Sequence, residues 1–205
     1  MKSTIITLFS IGLAFSQADQ QFVSFDLGGK GNGTSFDVKY GQLTEVYLKD
    51  YSQGFSLQIG GVTGVDIEEI TLISGGATFT TTVNDYFIAG TTIENSHTNF
   101  LFNYEIEKAV SEKVFINGTA GLGFSTITST LSVPGFGSED ANDTVFAYQL
   151  EVGVGYALTD ALTLDAALGY FGSSAGEFEV EGTNVSIETE ALSGALYSLG
   201  LTYRF

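Results

Sequence analysis

The stretch LYSLGLTYRF, residues 196–205, decides how the rest of the sequence is interpreted. In an extended strand its apolar and aromatic residues share one face: Tyr197, Leu199, Leu201, Tyr203 and Phe205. The other face is mostly small or polar. An aromatic strand exposed to water at a sheet edge invites aggregation, whereas a strand between lipid and a polar barrel interior uses this pattern. The stretch therefore favours a transmembrane β-barrel.

Three earlier segments have the same layout of alternating strand, polar turn and alternating strand. The clearest is 147–171, with a tight turn at 159–161, and 98–124 repeats it around a charged connection at 108–113. The third, 77–93 with a turn at 84–85, has Thr where the others have Leu or Val. An apolar face of about 9–11 residues is the length that a membrane strand needs.

The final residues also resemble the C-terminal signature of bacterial outer-membrane β-barrels, in which an aromatic residue stands two positions before a terminal Phe. Tyr203 and Phe205 occupy those positions. The resemblance implies that these two residues are an assembly signal, read by the barrel-assembly machinery after periplasmic chaperones deliver the chain. It also implies a monomer in outer-membrane lipid, with the last strand ending in the periplasm. Residues 75–205 resemble the opacity-protein and OmpA-membrane-domain group.

The N-terminus has the layout of a secretory signal peptide. Lys2 supplies a positive charge, residues 5–15 form an apolar run, and Ser16 and Ala18 are small residues at the positions that a signal peptidase reads. The run is too short to span a bilayer as a helix. We expect a signal peptide at 1–18 and one β-barrel domain at 19–205.

Counting alternating segments predicts an all-β antiparallel barrel of eight to ten strands, with ten slightly favoured. The ten are 22–27, 35–49, 54–63, 68–83, 86–94, 98–107, 114–130, 144–158, 162–172 and 188–205. Eight strands also fit if 19–49 forms a plug or an irregular arm. Longer polar stretches at 94–97, 133–143 and 172–190 are expected to be extracellular loops, opposite the short periplasmic turns.

Charge and composition exclude several classes of function. The formal net charge is −17, and so acidic a chain without a basic stripe has no nucleic acid partner. The sequence contains no Cys, so the exported domain has no disulfide.

Five charges are predicted on interior faces: Glu105, Glu107, Glu151, Asp165 and Arg204. Buried charges need partners, and Arg204 is expected to pair with Asp165 on the neighbouring strand. A structural salt-bridge network is the main interpretation, with a conduction path as the alternative.

The sequence offers few residues that could serve in catalysis or metal binding. His97 is the sole His, and it is expected in a loop beside Ser96. Residues 138–143 hold Glu139, Asp140, Asn142 and Asp143, which are oxygen ligands suited to Ca²⁺ but lack EF-hand spacing. A solvated acidic loop is the simpler interpretation, so no catalytic, cofactor or metal site is predicted.

The sequence thus predicts a non-enzymatic outer-membrane protein, exported through the periplasm, that contributes to envelope structure or binds host or cell-surface molecules through acidic extracellular loops. A narrow channel for small solutes or ions is the first alternative. A secreted soluble β-sandwich or fibre subunit is the second.

Overall fold

The computed structural model describes residues 20–45, 51–67, 69–74, 77–83, 89–135, 137–179, 185–189 and 191–205. The predicted signal peptide at 1–18 and the predicted turn at 84–85 lie outside the described residues. Within the described ranges, no helix is long and apolar enough to cross a membrane.

The described chain is built from antiparallel strands numbered in chain order: β1 (Gln20–Lys30), β2 (Gly33–Glu45), β3 (Tyr51–Ile67), β4 (Glu69–Ser74), β5 (Ala77–Thr82), β6 (Thr92–Ala109), β7 (Val114–Val133), β8 (Gly137–Ala157), β9 (Leu162–Ser173), β10 (Glu177–Glu179), β11 (Val185–Thr189) and β12 (Ser193–Arg204). Eight strands form a closed barrel in the order β1-β12-β9-β8-β7-β6-β3-β2, and four form a separate sheet in the order β10-β11-β4-β5. Closure pairs the backbone around the whole ring and leaves no edge, as a lipid environment requires.

The terminal strand closes the ring by pairing with the first strand. Leu199 of β12 lies opposite Leu27 of β1. Beyond that ladder, Gln21 and Phe205 exchange two backbone hydrogen bonds of 3.1 and 3.0 Å. We call the barrel end that holds Gln20 and Phe205 the C-terminal end. The opposite end, from which the four-stranded sheet extends, is the sheet-bearing end.

Large apolar side chains cover the outer wall of the barrel. On β6 the burial alternates residue by residue, because every second side chain points outward. The exposed set on β6, β7 and β8 comprises Phe100, Phe102, Tyr104, Ile106, Ile116, Leu122, Phe124, Phe146, Tyr148, Leu150, Val152, Val154 and Tyr156. So continuous an apolar wall is unfavourable in water and suits contact with lipid.

The prediction of ten barrel strands is wrong, because the barrel has eight. Of the predicted strand 68–83, residues 69–74 and 77–82 form β4 and β5 of the separate sheet. The next described strand along the chain, β6, begins at Thr92, within the predicted strand 86–94. The physical reason lies in the sequence of β5, ATFTTT, which offers no continuous apolar face to lipid.

The proposed plug or arm at 19–49 is also wrong for its described residues, since 20–45 form β1 and β2 of the barrel wall. Two predicted loops are corrected as well. Residues 94–97 lie within β6, and 133–143 is largely strand, because β7 runs to Val133 and β8 starts at Gly137. Strands β7 and β8 continue beyond the apolar outer wall, because their backbone pairing extends to Val133 and Gly137. In the stretch 172–190, β10 and β11 replace most of the described predicted loop.

Candidate functional site: the closed interior and the acidic sheet-bearing end

An ion pair spans the interior near the C-terminal end. Arg204 of β12 places its two terminal nitrogens 2.9 and 2.5 Å from the carboxylate oxygens of Glu107 on β6. In the ring these strands stand four places apart in either direction, so the pair bridges opposite walls. Arg204 also donates to Gln20 and lies over the ring of Phe115. Asp165, the predicted partner, instead accepts a 3.5 Å hydrogen bond from Asn117.

A second ion pair spans the interior along another diameter. Lys39 Nζ of β2 lies 3.1 Å from Glu151 Oε2 of β8, again four places apart in the ring. Both side chains are buried. Beside them, Glu105 accepts from Ser56 Oγ at 2.6 Å and from Thr119 Oγ1 at 2.5 Å. Two cross-barrel pairs on different axes fix the spacing of opposite walls.

The middle of the interior holds a continuous polar network. Lys30 Nζ lies 2.8 Å from Asp37 Oδ1, which also accepts from Gln58 Nε2 at 2.7 Å. Gln58 accepts in turn from Gln149 at 2.6 Å and from Asn103 at 3.0 Å. Burial of these groups is favourable because their hydrogen-bonding atoms find partners.

Small residues on the inner face make room for this network. A Cβ at Gly121 would collide with Asn103 Oδ1 and stand 3.0 Å from Gln149 Cγ. A Cβ at Gly200 would collide with Asp26 Oδ1. The glycines thus leave space for polar side chains on adjacent strands, which explains the small inner-face residues of the sequence.

A cavity of about 70 Å³ lies among the charges near the C-terminal end, enough for a few water molecules. Charged side chains that line it include Asp26, Lys39, Glu105, Glu107, Glu151, Asp165 and Arg204. Among the described ion pairs, those of Lys39 and Arg204 engage Glu151 and Glu107. The remaining carboxylates accept hydrogen bonds from hydroxyl or amide groups, as Asp26 does from Ser24 at 2.6 Å.

The interior is apolar toward the sheet-bearing end. A buried cluster there includes Val62, Leu101, Ala147, Phe171 and Leu196, and it continues through residues of β3, β4 and β6. Lys30 Nζ lies 5.1 Å from the centre of the Phe171 ring, which joins the cluster to the polar network. Packed side chains therefore fill this part of the barrel and leave no described path through it for water or ions.

His97 is not in a loop, contrary to the prediction, but faces the interior from β6 and is 2% exposed. Its Nδ1 lies 3.1 Å from Ser125 Oγ rather than beside Ser96, which alternates to the other face of the strand. Two polar side chains of 138–143 bond across the β7–β8 ladder. Asp140 and Asn142 accept from Thr130 and Thr128 at 2.8 and 2.7 Å. The described residues contain no group of three or more His, Asp or Glu placed to hold a metal.

Charge is distributed unevenly between the two barrel ends. The stretches 64–98, 126–144 and 174–195, whose described residues lie toward the sheet-bearing end, contain thirteen of the 24 acidic residues in the sequence and no Lys or Arg. Of these, Glu94, Asp140, Glu177 and Glu188 are exposed in the structure. Lys30, at the end of β1 away from Gln20, is buried and paired with Asp37. The described surface of the sheet-bearing end is therefore negative.

The five predicted interior charges all lie in the barrel interior: Glu105, Glu107, Glu151, Asp165 and Arg204 line the same cavity. Sequence reasoning missed Asp26, Lys30, Asp37 and Lys39, which complete the polar interior. The sequence of β1 carried a signal for the buried position of Asp26, because Ser24 and Asp26 alternate with the exposed Phe25 and Leu27. Tyr203 and Phe205, the predicted assembly signal, lie on the outer wall with their rings 6.0 Å apart.

Comparison with known proteins agrees with this architecture. The model of the outer membrane protein beta-barrel domain family matches residues 5–205. A major outer membrane protein from Thermus thermophilus has a TM-score of 0.60 and 18% identity, covering 91% of this chain and 99% of its own. Neisserial surface protein A has a TM-score of 0.47 and 16% identity, with 91% and 95% covered. No sequence among curated proteins matches. With the family model spanning nearly the whole sequence and a closed eight-stranded ring to accompany it, the chain belongs to the outer membrane protein beta-barrel domain family.

Proposed function

We propose that this protein is a non-enzymatic surface protein, in which a closed barrel anchors an acidic sheet-bearing end outside the cell. The observation that carries the proposal is the charge distribution, with thirteen acidic residues and no Lys or Arg in the three stretches that serve this end. So one-sided a field attracts cationic molecules and surfaces and steers their approach. In this orientation the C-terminal end, with the short connections 110–113 and 158–161, faces the periplasm.

A solute channel has less support from the interior. The cavity near the C-terminal end is separated from the sheet-bearing end by the Lys30–Asp37–Gln58 network and the apolar cluster around Phe171. Eight-stranded barrels are of a size that side chains fill. The same interior favours an anchoring role, because cross-barrel ion pairs fix the position of opposite walls.

Adhesion of cells to polylysine-coated glass tests the proposal. Cells that carry the protein are compared with cells that carry the variant Asp140→Asn, Glu177→Gln, Glu188→Gln, at equal outer-membrane levels. The control variant neutralises exposed acids at the other end, Glu112→Gln and Asp160→Asn. We expect the first variant to adhere several-fold less and the control to match the unmodified protein. Equal adhesion of all three would contradict the proposal.

A further inference from the structure

Near the C-terminal end, one side of the outer wall carries polar side chains. The strands concerned, β1, β2, β3 and β6, are consecutive in the closed ring. Their interior-facing residues alternate with outward-facing ones, and the outward-facing polar set comprises Gln21, Tyr40, Gln53, Tyr104 and Lys108. We call this set the Gln–Lys surface.

Two amide side chains of this surface are held by tyrosine hydroxyls on the adjacent strand. Tyr104 Oη donates to Gln53 Oε1 at 2.7 Å, and Tyr40 Oη donates to Gln21 Oε1 at 2.9 Å. Each amide oxygen thus serves as an acceptor, and the two N–H groups of the same amide serve as donors. Gln53 is exposed, so its amide is accessible from outside the barrel. These amides therefore suit a ligand rich in hydrogen-bond acceptors.

A lysine adds positive charge to the same surface. Lys108 is exposed, and its Nζ lies 4.9 Å from the centre of the Tyr51 ring on β3. The described ion pairs do not include Lys108, so its ammonium is available to an external anion. Lys113 is the other exposed Lys of the described residues, whereas Lys30 and Lys39 are buried in the interior. The exposed Lys side chains of the described chain therefore lie at the C-terminal end.

An aromatic surface continues from the Gln–Lys surface toward the middle of the wall. Phe55 stacks on Phe102 with ring centroids 5.3 Å apart, and it lies 5.6 Å from the ring of Tyr104. Amide donors and a cation at the edge of an apolar wall match the order of groups in a phospholipid, in which a charged headgroup is joined to acyl chains.

The opposite side of the barrel differs at the same end. The large exposed outward-facing residues there, on β8, β9 and β12, are Tyr156, Leu164, Leu201 and Tyr203. No amide or ammonium group is among them. The Gln–Lys surface is therefore a local feature of one side and not a ring around the described barrel.

We propose that the Gln–Lys surface binds the headgroup of an anionic phospholipid, whose acyl chain lies along the Phe55–Phe102 stack. Lys108 attracts the phosphate, and the Gln53 amide donates to phosphate or glycerol oxygens. Phosphatidylcholine is disfavoured, because its choline group brings a second positive charge toward the ammonium. The inference goes beyond the proposed surface function, and it requires only that the barrel lies in a bilayer, whichever end faces the periplasm.

Quenching of a single Trp by brominated lipids tests the inference in mixed vesicles of phosphatidylglycerol and phosphatidylcholine. The sequence has no Trp, so Phe102→Trp places one reporter beside the Gln–Lys surface, and Leu199→Trp places a matched one on β12, four places away in the ring. Each lipid is brominated in turn, and quenching measures its share of contacts with the reporter. We expect phosphatidylglycerol to be preferred about fivefold at the first reporter, the effect of one lysine near an anionic lipid, and not to be preferred at the second. Equal preference at both reporters, or at neither, would overturn the proposed site.

Matched variants in the Phe102→Trp protein identify the groups responsible. Lys108→Gln removes the charge from the Gln–Lys surface, and Lys113→Gln removes an exposed charge from the nearby connection. We expect Lys108→Gln to abolish the preference and Lys113→Gln to retain it, with unchanged circular dichroism for both. Equal losses would overturn the assignment to this surface. Gln53→Leu should weaken the preference as well, and an unchanged preference in that variant would overturn the role of the amide.

Discussion

Arg204 and Glu107 join opposite walls of the barrel through a two-pronged ion pair of 2.9 and 2.5 Å. Their strands, β12 and β6, are the most distant pair possible in a ring of eight. A guanidinium is long and planar enough to reach a carboxylate across the interior and to engage both of its oxygens. The pair therefore connects the strand that closes the barrel to the wall it faces.

Breaking this pair should destabilise the barrel by about 3 kcal/mol, because removing one partner leaves an uncompensated buried charge. We expect Glu107→Gln and Arg204→Lys each to lower the urea midpoint of the protein in lipid vesicles. Arg204→Lys is included because an ammonium loses the two-pronged geometry. The double variant Glu107→Gln, Arg204→Met should recover part of the loss, and strictly additive losses would argue against the pairing.

Filling the inner face beside the polar network should also be destabilising. Gly121→Ala places a methyl group against Asn103 Oδ1 and Gln149, so we expect a loss of about 1–3 kcal/mol from overpacking. Gly118→Ala, on the lipid-facing side of the same strand, meets the flexible Ile106 side chain and should cost less. Urea unfolding measures both, and a Gly118 variant as unstable as the Gly121 variant would contradict the account of the inner face.

Phe205 is expected to matter for assembly more than its exposed position suggests. Deleting it removes both the terminal aromatic ring and the backbone pair with Gln21. Phe205→Ala keeps the backbone pair and removes only the ring. If the ring is the assembly signal, both changes should reduce outer-membrane levels several-fold. Loss with the deletion alone would assign the effect to barrel closure, and normal levels in both would contradict an assembly role.

The packed interior predicts that the protein does not conduct ions. Planar bilayer recordings of the unmodified protein should show no discrete current steps. Phe171→Ala removes the ring that lies beneath Lys30 and should destabilise the barrel by about 3–5 kcal/mol. Reproducible steps from the unmodified protein would favour the channel alternative instead.

The strands of the C-terminal half could be predicted because their local signals agree. In 147–171 a period of two, a tight turn and apolar residues of membrane length all indicate one hairpin, and β8 and β9 follow it closely. The stretch 68–83 was wrongly predicted as a barrel strand, because alternation identifies a strand but does not identify the sheet that it joins. Thr residues on both faces of β5 were the sign that this strand avoids lipid.

Interior pairing could not be predicted for a different reason. Which charges meet across a barrel depends on which strands stand opposite, and that depends on the strand count. Asp165 is near Arg204 on the neighbouring strand, whereas Glu107 becomes its partner only in a ring of eight. Lys39 and Glu151 are 112 residues apart in sequence and meet for the same reason.

Accessibility of single cysteines on intact cells tests the central claim most directly. The sequence has no Cys, so labelling by a membrane-impermeant maleimide has no background from this chain. Thr78→Cys lies on β5 at the sheet-bearing end, and Asp160→Cys lies in the exposed connection at the C-terminal end. We predict that Thr78→Cys is labelled on intact cells and that Asp160→Cys is labelled only after the outer membrane is permeabilised. Labelling of Asp160→Cys but not Thr78→Cys on intact cells would contradict the display of the acidic sheet outside the cell.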